Sequence, residues 1–549
     1  MRHSPILALA FFLCTSPIIL AQHHGSAPAP ASEKPATLLP GLGSHHRPVT
    51  TRNAEAQKFF DQGLTLIYAF NHEEAIRAFK RAAELDPQMA MAHWGIALAL
   101  GPNINRDIDP ERLKAAYEAA QKALSLASNA SENERAFIEA LSKRYSLAPG
   151  ADLKKLAVDY KDAMGEISRR FPDDLDAATL YAESAMNLRP WQLWSSDGKP
   201  AEGTEEIVAV LESVLKRDPH HIGAIHYYIH AVEASRTPER ALVYAPRLST
   251  AVPAAGHLVH MPAHIYMRTG DYAAAALSNK EAAEADEAFF KASGREGFYP
   301  LMYYNHNVHF LAVAHGMTGQ YALAIEAARK LERNVAPHLE TMPMFDGFAA
   351  TPVLVLVRFR KWDEILKLPQ PAAGLHGMTA IWRFARAMAY AAKGQTAQAE
   401  SERKLFLEAV KTVPAESGYG LNPSSSVLQL AQQVLGARMA VAQRDYKTAL
   451  ELLRRGVEME DALAYDEPPG WFLPVRESLG GVLLQSGAHA EAEKVFRADL
   501  ERNARNGRSL YGLMESLKAQ GKRDAAQFVR REFESAWKNA DTQLRIEDL

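Results

Sequence analysis

The histidines of this chain are concentrated in one stretch and are spaced as metal ligands are. Ten of the 20 histidines lie between residues 220 and 315, and seven of these ten have a partner three or four residues away. Both spacings place side chains on one face of a helix. Because neutral imidazole nitrogens bind transition metals, the pattern predicts a metal site built from seven residues: His226, His230, His257, His260, His264, His306 and His309.

The ligand atoms of such a site are nitrogen or oxygen rather than thiolate sulfur. Cys14 is the only cysteine, and it lies in an apolar N-terminal run that we expect to be removed. Nitrogen-rich ligation is typical of copper and zinc sites, and iron and nickel also accept it. We therefore expect a transition-metal cofactor, with copper or zinc ahead of iron or nickel.

One carboxylate lies close to the predicted ligands. Glu233 follows His230 by three residues and falls on the same helical face. Three roles are open to it: an oxygen ligand, a group that orients a ligand imidazole, or a base toward a metal-bound water. The last role makes Glu233 the candidate catalytic residue.

A proline interrupts one of the predicted ligand helices. Pro262 lies between His260 and His264, and a proline inside a helix removes a hydrogen bond and kinks the helix. The kink re-aims His257 and His260 relative to His264, so these three residues need not bind one ion. The neighbouring His220 and His221 fall in a turn, where we expect them to be solvated.

The histidines lie within a repeat. Counting Ala56 as position 1, small or marker residues occupy positions 8, 20, 24, 27 and 32: Gly63, Ala75, Phe79, Ala82 and Pro87. These positions resemble the 34-residue tetratricopeptide repeat, in which small residues let two antiparallel helices approach closely. The register returns at Gly480, Ala492 and Phe496, and the resemblance covers most of residues 56–537.

The resemblance implies an all-α fold, a right-handed α-solenoid of helical hairpins with a concave groove lined by the first helix of each hairpin. In the repeats that start at Ile222, Gly256 and Asn305, the predicted ligands fall at positions 2, 5 and 9. Those positions form one stripe that faces the groove. Neighbouring helices lie about 8–10 Å apart, so imidazoles from consecutive repeats can reach one ion.

Solenoids of this kind bind proteins or peptides, so the fold leaves alternatives to a metal-binding role. The site could serve a metal-dependent enzyme, hydrolytic or oxidative. The histidines could also be polar contacts in a metal-independent scaffold for exported proteins or peptides. The sequence contains no P-loop, no dinucleotide-binding glycine motif, no G-x-S-x-G and no H-E-x-x-H, which argues against kinases, dehydrogenases and common hydrolases.

The block from His260 to Ile265, H-M-P-x-H-I, is also similar to a block carried by a group of secreted bacterial tetratricopeptide proteins. That resemblance implies no particular activity. It supports a site at these histidines and leaves its chemistry open.

The N-terminal segment and the net charge predict the location of the protein and its classes of partner. Arg2 and His3 precede an apolar run that ends at Ala21, which indicates a signal peptide over residues 1–21 and a periplasmic or secreted protein; an uncleaved anchor is the alternative. Residues 22–52, rich in His, Pro and Ala, read as a flexible linker, and residues 53–540 as the solenoid, with the His-bearing repeats at about 220–335. A net charge of −3 argues against nucleic acid as a partner, and no stable membrane span or oligomeric state is predicted.

Overall fold

The chain is a succession of antiparallel helical hairpins. A computed structural model describes residues 36–294, 297–342 and 345–549, and in these residues strands are limited to one two-residue pair. The predicted all-α solenoid is therefore confirmed. The predicted signal peptide lies outside the described residues. Among those residues, no helix has the length and apolar character needed to cross a membrane.

The first eight helices form four hairpins that precede the predicted ligands. Their bounds are α1 Ala54–Tyr68, α2 His72–Leu85, α3 Ala90–Leu100, α4 Pro110–Leu126, α5 Glu132–Ser142, α6 Leu153–Arg170, α7 Leu175–Met186 and α8 Thr204–Arg217. Side-chain caps fix several of their starts. Asn53 accepts hydrogen bonds from two N–H groups at the start of α1, and Ser131 and Glu134 form a reciprocal capping box on α5.

The next seven helices carry the predicted ligands. They are α9 Ile222–Val232, α10 Arg247–Ala251, α11 Gly256–His260, α12 Pro262–Thr269, α13 Tyr272–Ser293, α14 Asn305–Met317 and α15 Tyr321–Val335. A 3₁₀ helix, Pro238–Val243, precedes α10, and a π-helical turn, Pro300–Tyr304, runs into α14.

The remaining elements continue the hairpins to the C-terminus. They are α16 Asp346–Ala349, α17 Thr351–Arg358, α18 Trp362–Lys367, α19 His376–Ala392, α20 Thr396–Thr412, β1 Gly418–Tyr419, β2 Asn422–Pro423, α21 Ser424–Ala442, α22 Tyr446–Asp461, α23 Val475–Gln485, α24 His489–Arg502, α25 Gly507–Ala519 and α26 Arg523–Ala536. The two strands pair antiparallel.

The small residues of the repeat act as predicted. The Phe79 ring packs between Gly63 of its own hairpin and Gly95 of the next; a Cβ atom at these glycines would lie 2.6 and 2.5 Å from the ring. A late hairpin repeats the arrangement, because a Cβ at Gly480 would lie 2.3 Å from Phe496. Overpacking of this kind costs about 1–3 kcal/mol, so the glycines set the spacing between hairpins.

At the histidines the concave side is covered, so the expectation that they line an open groove is wrong. The superhelix is wound so tightly that both of its ends contact the middle hairpins. The Phe298 backbone N–H donates to Glu73 of the first hairpin, and the Thr542 hydroxyl near the C-terminus donates to the Gly319 carbonyl. The His-bearing helices are thereby covered, and five of the seven predicted ligands are buried: His226, His230, His257, His260 and His264.

The described part of the predicted linker, residues 36–52, packs against the solenoid rather than extending from it. Arg47 is buried, and both of its terminal nitrogens donate to Asp174, at 2.7 and 2.8 Å. The guanidinium also stacks on Phe137 at 4.4 Å from the ring centroid. Composition predicted a tether because it records no tertiary partner for Arg47.

Replacing Arg47 should release this segment. Arg47→Met leaves buried carboxylates without their cation, and breaking a buried ion pair in this way costs about 3–5 kcal/mol. We expect faster proteolysis and faster hydrogen exchange within residues 36–52. Arg52→Met, at an exposed position of the same segment, is the matched control and should behave as wild type. Equal protection of the segment in both variants would contradict the packing described.

Candidate metal centre

The structure brings six of the seven predicted ligands together in two groups of three. Group 1 consists of His226 and His230 of α9 with His257 of α11. Group 2 consists of His260 of α11, His264 of α12 and His306 of α14. In each group, one ring nitrogen from every histidine lies within 4.8 Å of the other two. Each group is thus an i,i+4 pair on one helical segment and a third histidine from the next.

His309 joins neither group. Its ring packs against Phe348 and Phe472, with centroid distances of 5.2 and 6.1 Å. Burial lowers the pKa of His309 to about 4, so the ring is neutral. The three-residue spacing to His306 predicted a shared ion, but the aromatic neighbours of His309 come from residues far away in the chain.

The helix break at Pro262 is present. Helix α11 ends at His260 and α12 begins at Pro262. The ligands on either side divide between the groups, with His257 in group 1 and His264 in group 2. This division agrees with the expectation that the three histidines of this segment need not share one ion, which stays a prediction.

The hydrogen bonds of group 2 define where its protons are. His260 Nδ1 lies 2.7 Å from the Asn279 side-chain oxygen, and the Asn279 amide nitrogen donates to the Ala275 carbonyl. His264 Nδ1 lies 2.6 Å from Glu233 Oε2. Both acceptors require an N–H on Nδ1, so each Nε2 carries a lone pair whenever its ring is neutral. The two Nε2 atoms are 2.8 Å apart.

Two lone pairs at that distance require a cation between them, either a proton or a metal ion. Two nitrogens that each lie about 2.0–2.1 Å from one ion are about 3 Å apart, close to the separation seen here. The pair His260 and His264 is thus positioned as two ligands of one ion would be.

Group 1 shares this arrangement for His226 and His230, whereas His257 Nδ1 is buried without a hydrogen-bond partner and its ring can carry the proton on Nε2. His226 Nδ1 donates to the Tyr68 carbonyl at 2.6 Å, and His230 Nδ1 donates to Glu233 Oε1 at 2.7 Å. Their Nε2 atoms therefore carry lone pairs. His226 Nε2 lies 3.1 Å from His257 Nε2, and His230 Nε2 is buried without a hydrogen-bond partner.

Glu233 connects the two groups. One carboxylate oxygen accepts from His230, and the other accepts from His264 and from the Tyr465 hydroxyl at 3.0 Å. Burial opposes its charge, but the two rings keep the pKa of Glu233 below its ordinary value. The carboxylate holds Nδ1 of both rings, away from Nε2. Of the three roles open to Glu233, this position favours orienting the ligands.

Several contributors to the site were not found in the sequence. Tyr68, Asn279 and Tyr465 each fix a ligand ring or its carboxylate, and Glu467 Oε2 lies 3.5 Å from His264 Nδ1. Glu233, His264 and Glu467 also place one possible metal-ligand atom each within 4.8 Å of the other two. Tyr465 and Glu467 come from the C-terminal half, more than 200 residues from Glu233, and no local spacing marks them.

Burial determines the protonation of most ligands. It lowers the pKa of His226, His257, His260 and His306 well below the ordinary value, and the rings are neutral, as ligation requires. His264 is the exception. Burial opposes its charge as well, but Glu233 and Glu467 more than offset this and raise the pKa of His264 to about 10.

A small cavity adjoins the centre. It has a volume of about 20 Å³ and is lined by Trp191, Trp194, His230, Glu233 and Tyr465, among others. A cavity of that size holds about one water molecule. Trp191 packs edge-on against the His230 ring at 5.4 Å. The loop that follows α7 therefore forms one wall of the centre.

A third cluster, of His45, Asp176 and His221, does not have the chemistry of a metal site. His221 Nδ1 accepts the Ala224 backbone N–H at 3.1 Å, so its neutral ring carries the proton on Nε2 and offers no lone pair there. That Nε2 lies 3.3 Å from Asp176, which also accepts from the Tyr68 hydroxyl at 2.5 Å. The cluster anchors residues 36–52, and the expectation that His221 is solvated is wrong.

Comparison with known proteins supports the repeat and leaves the chemistry open. The tetratricopeptide repeat family matches residues 59–89. No curated protein matches the chain. The match and the hairpin architecture support a tetratricopeptide-repeat protein, which points to a scaffold for protein–protein interaction.

Among solved structures, the human IFIT1 dimer with m7Gppp-AAAA is 14% identical, over 88% of this chain and 91% of that chain, with a TM-score of 0.34. Yeast Tom70 is 13% identical, over 88% and 97%, with a TM-score of 0.29. The tetratricopeptide domain of P58(IPK) is 12% identical, over 86% and 99%, with a TM-score of 0.22. Likenesses at this level say nothing about a shared activity.

Glu233→Gln should lower the pKa of His264 and destabilise the metal-free protein. Folding raises the pKa of His264 from 6.5 to about 10, so its contribution to stability is complete below pH 6.5 and is lost as pH rises through 10. The lowered pKa of Glu233 contributes above pH 4.5 and is lost on acidification. The difference in unfolding free energy, about 2–3 kcal/mol, should be widest between pH 4.5 and 6.5.

NMR titration of the His264 ring and denaturant unfolding at several pH values measure these two effects. Glu239→Gln, at an exposed position nearby, is the control and should change neither quantity. An unaltered His264 pKa in Glu233→Gln would show that the carboxylate does not hold that ring.

Proposed function

We propose that this protein binds transition-metal ions in its interior, one in each group of three histidines. The observation that carries the proposal is the opposition of the His260 and His264 Nε2 atoms at 2.8 Å, with both Nδ1 protons committed to Asn279 and Glu233. In the metal-free protein a proton occupies that position, since the pKa of His264 is raised to about 10. A metal ion that replaces the proton would also reach the third nitrogen of the group.

The surroundings of the ligands support the same function. In metal sites the ring nitrogen that does not bind the ion donates to a carbonyl or carboxylate, which fixes the tautomer and orients the ring. Four of the six histidines have such a partner: His226, His230, His260 and His264. Imidazole ligation suits copper or zinc, with iron and nickel as the further candidates.

A second candidate function is a metal-dependent enzyme, hydrolytic or oxidative, that uses the same centre. The cavity of about 20 Å³ beside His230 and Glu233 favours it, because a water molecule or a similarly small reactant fits there. Under this candidate Glu233 would have to release one of its hydrogen bonds before it could act as a base.

The scaffold role indicated by the repeats is compatible with a metal centre. Because the concave side is covered by the first hairpin and by the C-terminal half, an exported protein or peptide partner would have to use an outer face of the solenoid. Partner capture that survives EDTA would separate this role from metal binding, whereas capture abolished by chelation would tie the two together.

Metal analysis tests the proposed function directly. Protein purified without a His tag and reconstituted with zinc or copper should contain two ions per chain by mass spectrometry. His226→Ala and His260→Ala should each reduce the content to about one ion, since each removes a ligand from one group. His309→Gln should keep both ions. The absence of any bound ion, or equal content in all four proteins, would refute the proposal.

Export is also part of the proposal, and it rests on the N-terminal pattern of residues 1–21. Protein recovered from the periplasm or the medium of its native cells should begin near Gln22. N-terminal sequencing provides the measurement. An intact N-terminus on protein found with the cytoplasm would count against export without affecting the metal sites.

A further inference from the structure

One phenylalanine contacts all three imidazoles of group 2. The Phe310 ring lies 4.7 Å from His260, 4.8 Å from His264 and 4.9 Å from His306, measured between ring centroids. Phe310 is fully buried. The immediate surroundings of these nitrogens therefore include a large group that has no donor atom.

A second phenylalanine has the same relation to group 1. The Phe70 ring lies 4.5 Å from His226, 6.0 Å from His230 and 5.3 Å from His257, and it stacks on the last two. Phe70 comes from the turn between α1 and α2, so the first hairpin closes this group across the superhelix.

The backbone of Phe70 is in a conformation that large side chains rarely adopt. Its φ angle is +55°, in the left-handed region. The equivalent turns of two later hairpins have Gly270 and Gly319, with φ of +79° and +77°. A glycine would satisfy this turn without strain. Arg360 and Arg444 occupy equivalent turns with φ of +53° and +60°, so the conformation alone assigns no role to Phe70. Its contacts with the three imidazoles carry the argument.

The charges near the two groups limit the ions that they can hold. Among the described residues, Glu233 and Glu467 are the carboxylates that contact the histidine rings of the two groups, so at most two negative charges of this part of the chain touch them. Arg268 adds a positive charge, since its Nε donates to the Glu233 carbonyl at 3.0 Å. Two divalent ions would leave at least two positive charges uncompensated in a buried site, which is costly. Two monovalent ions would bring two positive charges fewer into the site.

We propose that groups 1 and 2 each hold one copper(I) ion on three imidazole nitrogens, with Phe70 and Phe310 occupying the place of a fourth ligand. Copper(I) carries a single charge and is stable with three nitrogen ligands, whereas zinc sites in proteins take a fourth ligand, a protein group or a water. The inference rests on the proposed function and narrows its ion from a transition metal to copper(I), two per chain.

Titration of metal-free, full-length protein without oxygen tests this assignment. Copper(I) is added in competition with bathocuproine disulfonate, and zinc(II) is added separately. We expect two copper(I) ions per chain, bound at least tenfold more tightly than zinc, and three nitrogen scatterers per copper by X-ray absorption. Zinc bound as tightly as copper(I), or four ligands per copper, would overturn the inference and leave the proposed function standing. Binding of neither ion would overturn both.

Phe70→Gly tests the closing ring without straining the backbone, because glycine fits the turn, although it also removes a buried side chain from the core. It should open a position for water at group 1 and raise zinc affinity there at least tenfold. Arg444→Gly is the matched control, since Arg444 is exposed and has a φ of +60° in the turn between α21 and α22. It should bind zinc as wild type does.

Circular dichroism establishes that both variants are folded. If Phe70→Gly loses helicity, Phe70→Asn replaces it, because asparagine also tolerates this conformation. Unchanged zinc affinity in the folded variant would show that the Phe70 ring does not close group 1, and the inference would fail.

Discussion

The interior of this protein depends on one buried carboxylate. Glu233 accepts a ring N–H from each group of three histidines and a hydroxyl from the C-terminal half of the chain. A charge in such a place is stable only while all its partners are present. The same contacts that stabilise the carboxylate therefore orient ligand nitrogens and hold the segment around Tyr465 against α9.

The tight winding of the solenoid makes the histidine cluster a buried site rather than a solvent-exposed one. In an open superhelix the histidine stripe would be exposed to solvent and to peptides. Here the turn of the first hairpin and the segment from Tyr465 to Phe472 cover it, and the ligand rings lose their contact with water. Burial then keeps most of the rings neutral, while hydrogen bonds to Tyr68, Glu233 and Asn279 assign their protons. Neutral, oriented imidazoles are what a buried ion requires.

The two groups are alike although their chain segments differ. Each combines a pair four residues apart with a third histidine from a neighbouring helix, and each is covered by one phenylalanine. Phe70, which covers group 1, has a backbone conformation that is unfavourable for a large side chain. The repeat supplies the equivalence, because consecutive hairpins present the same positions to the same interior space.

The local pattern of the sequence was enough to predict the helical hairpins, the close approach of their helices at small residues, and six of the histidines that come together, since side chains three or four residues apart share a helix face whatever surrounds the helix. It could not predict that the six divide into two groups, that His309 turns toward Phe348, or that residues 36–52 pack on the solenoid. Those outcomes depend on the total rotation of the superhelix. That rotation is the sum of a small rotation between each hairpin and the next, which local spacing does not determine. Only the tertiary structure brings Tyr68 into contact with His226 and Tyr465 into contact with Glu233, because the spacing of these residues along the chain carries no information about the contacts.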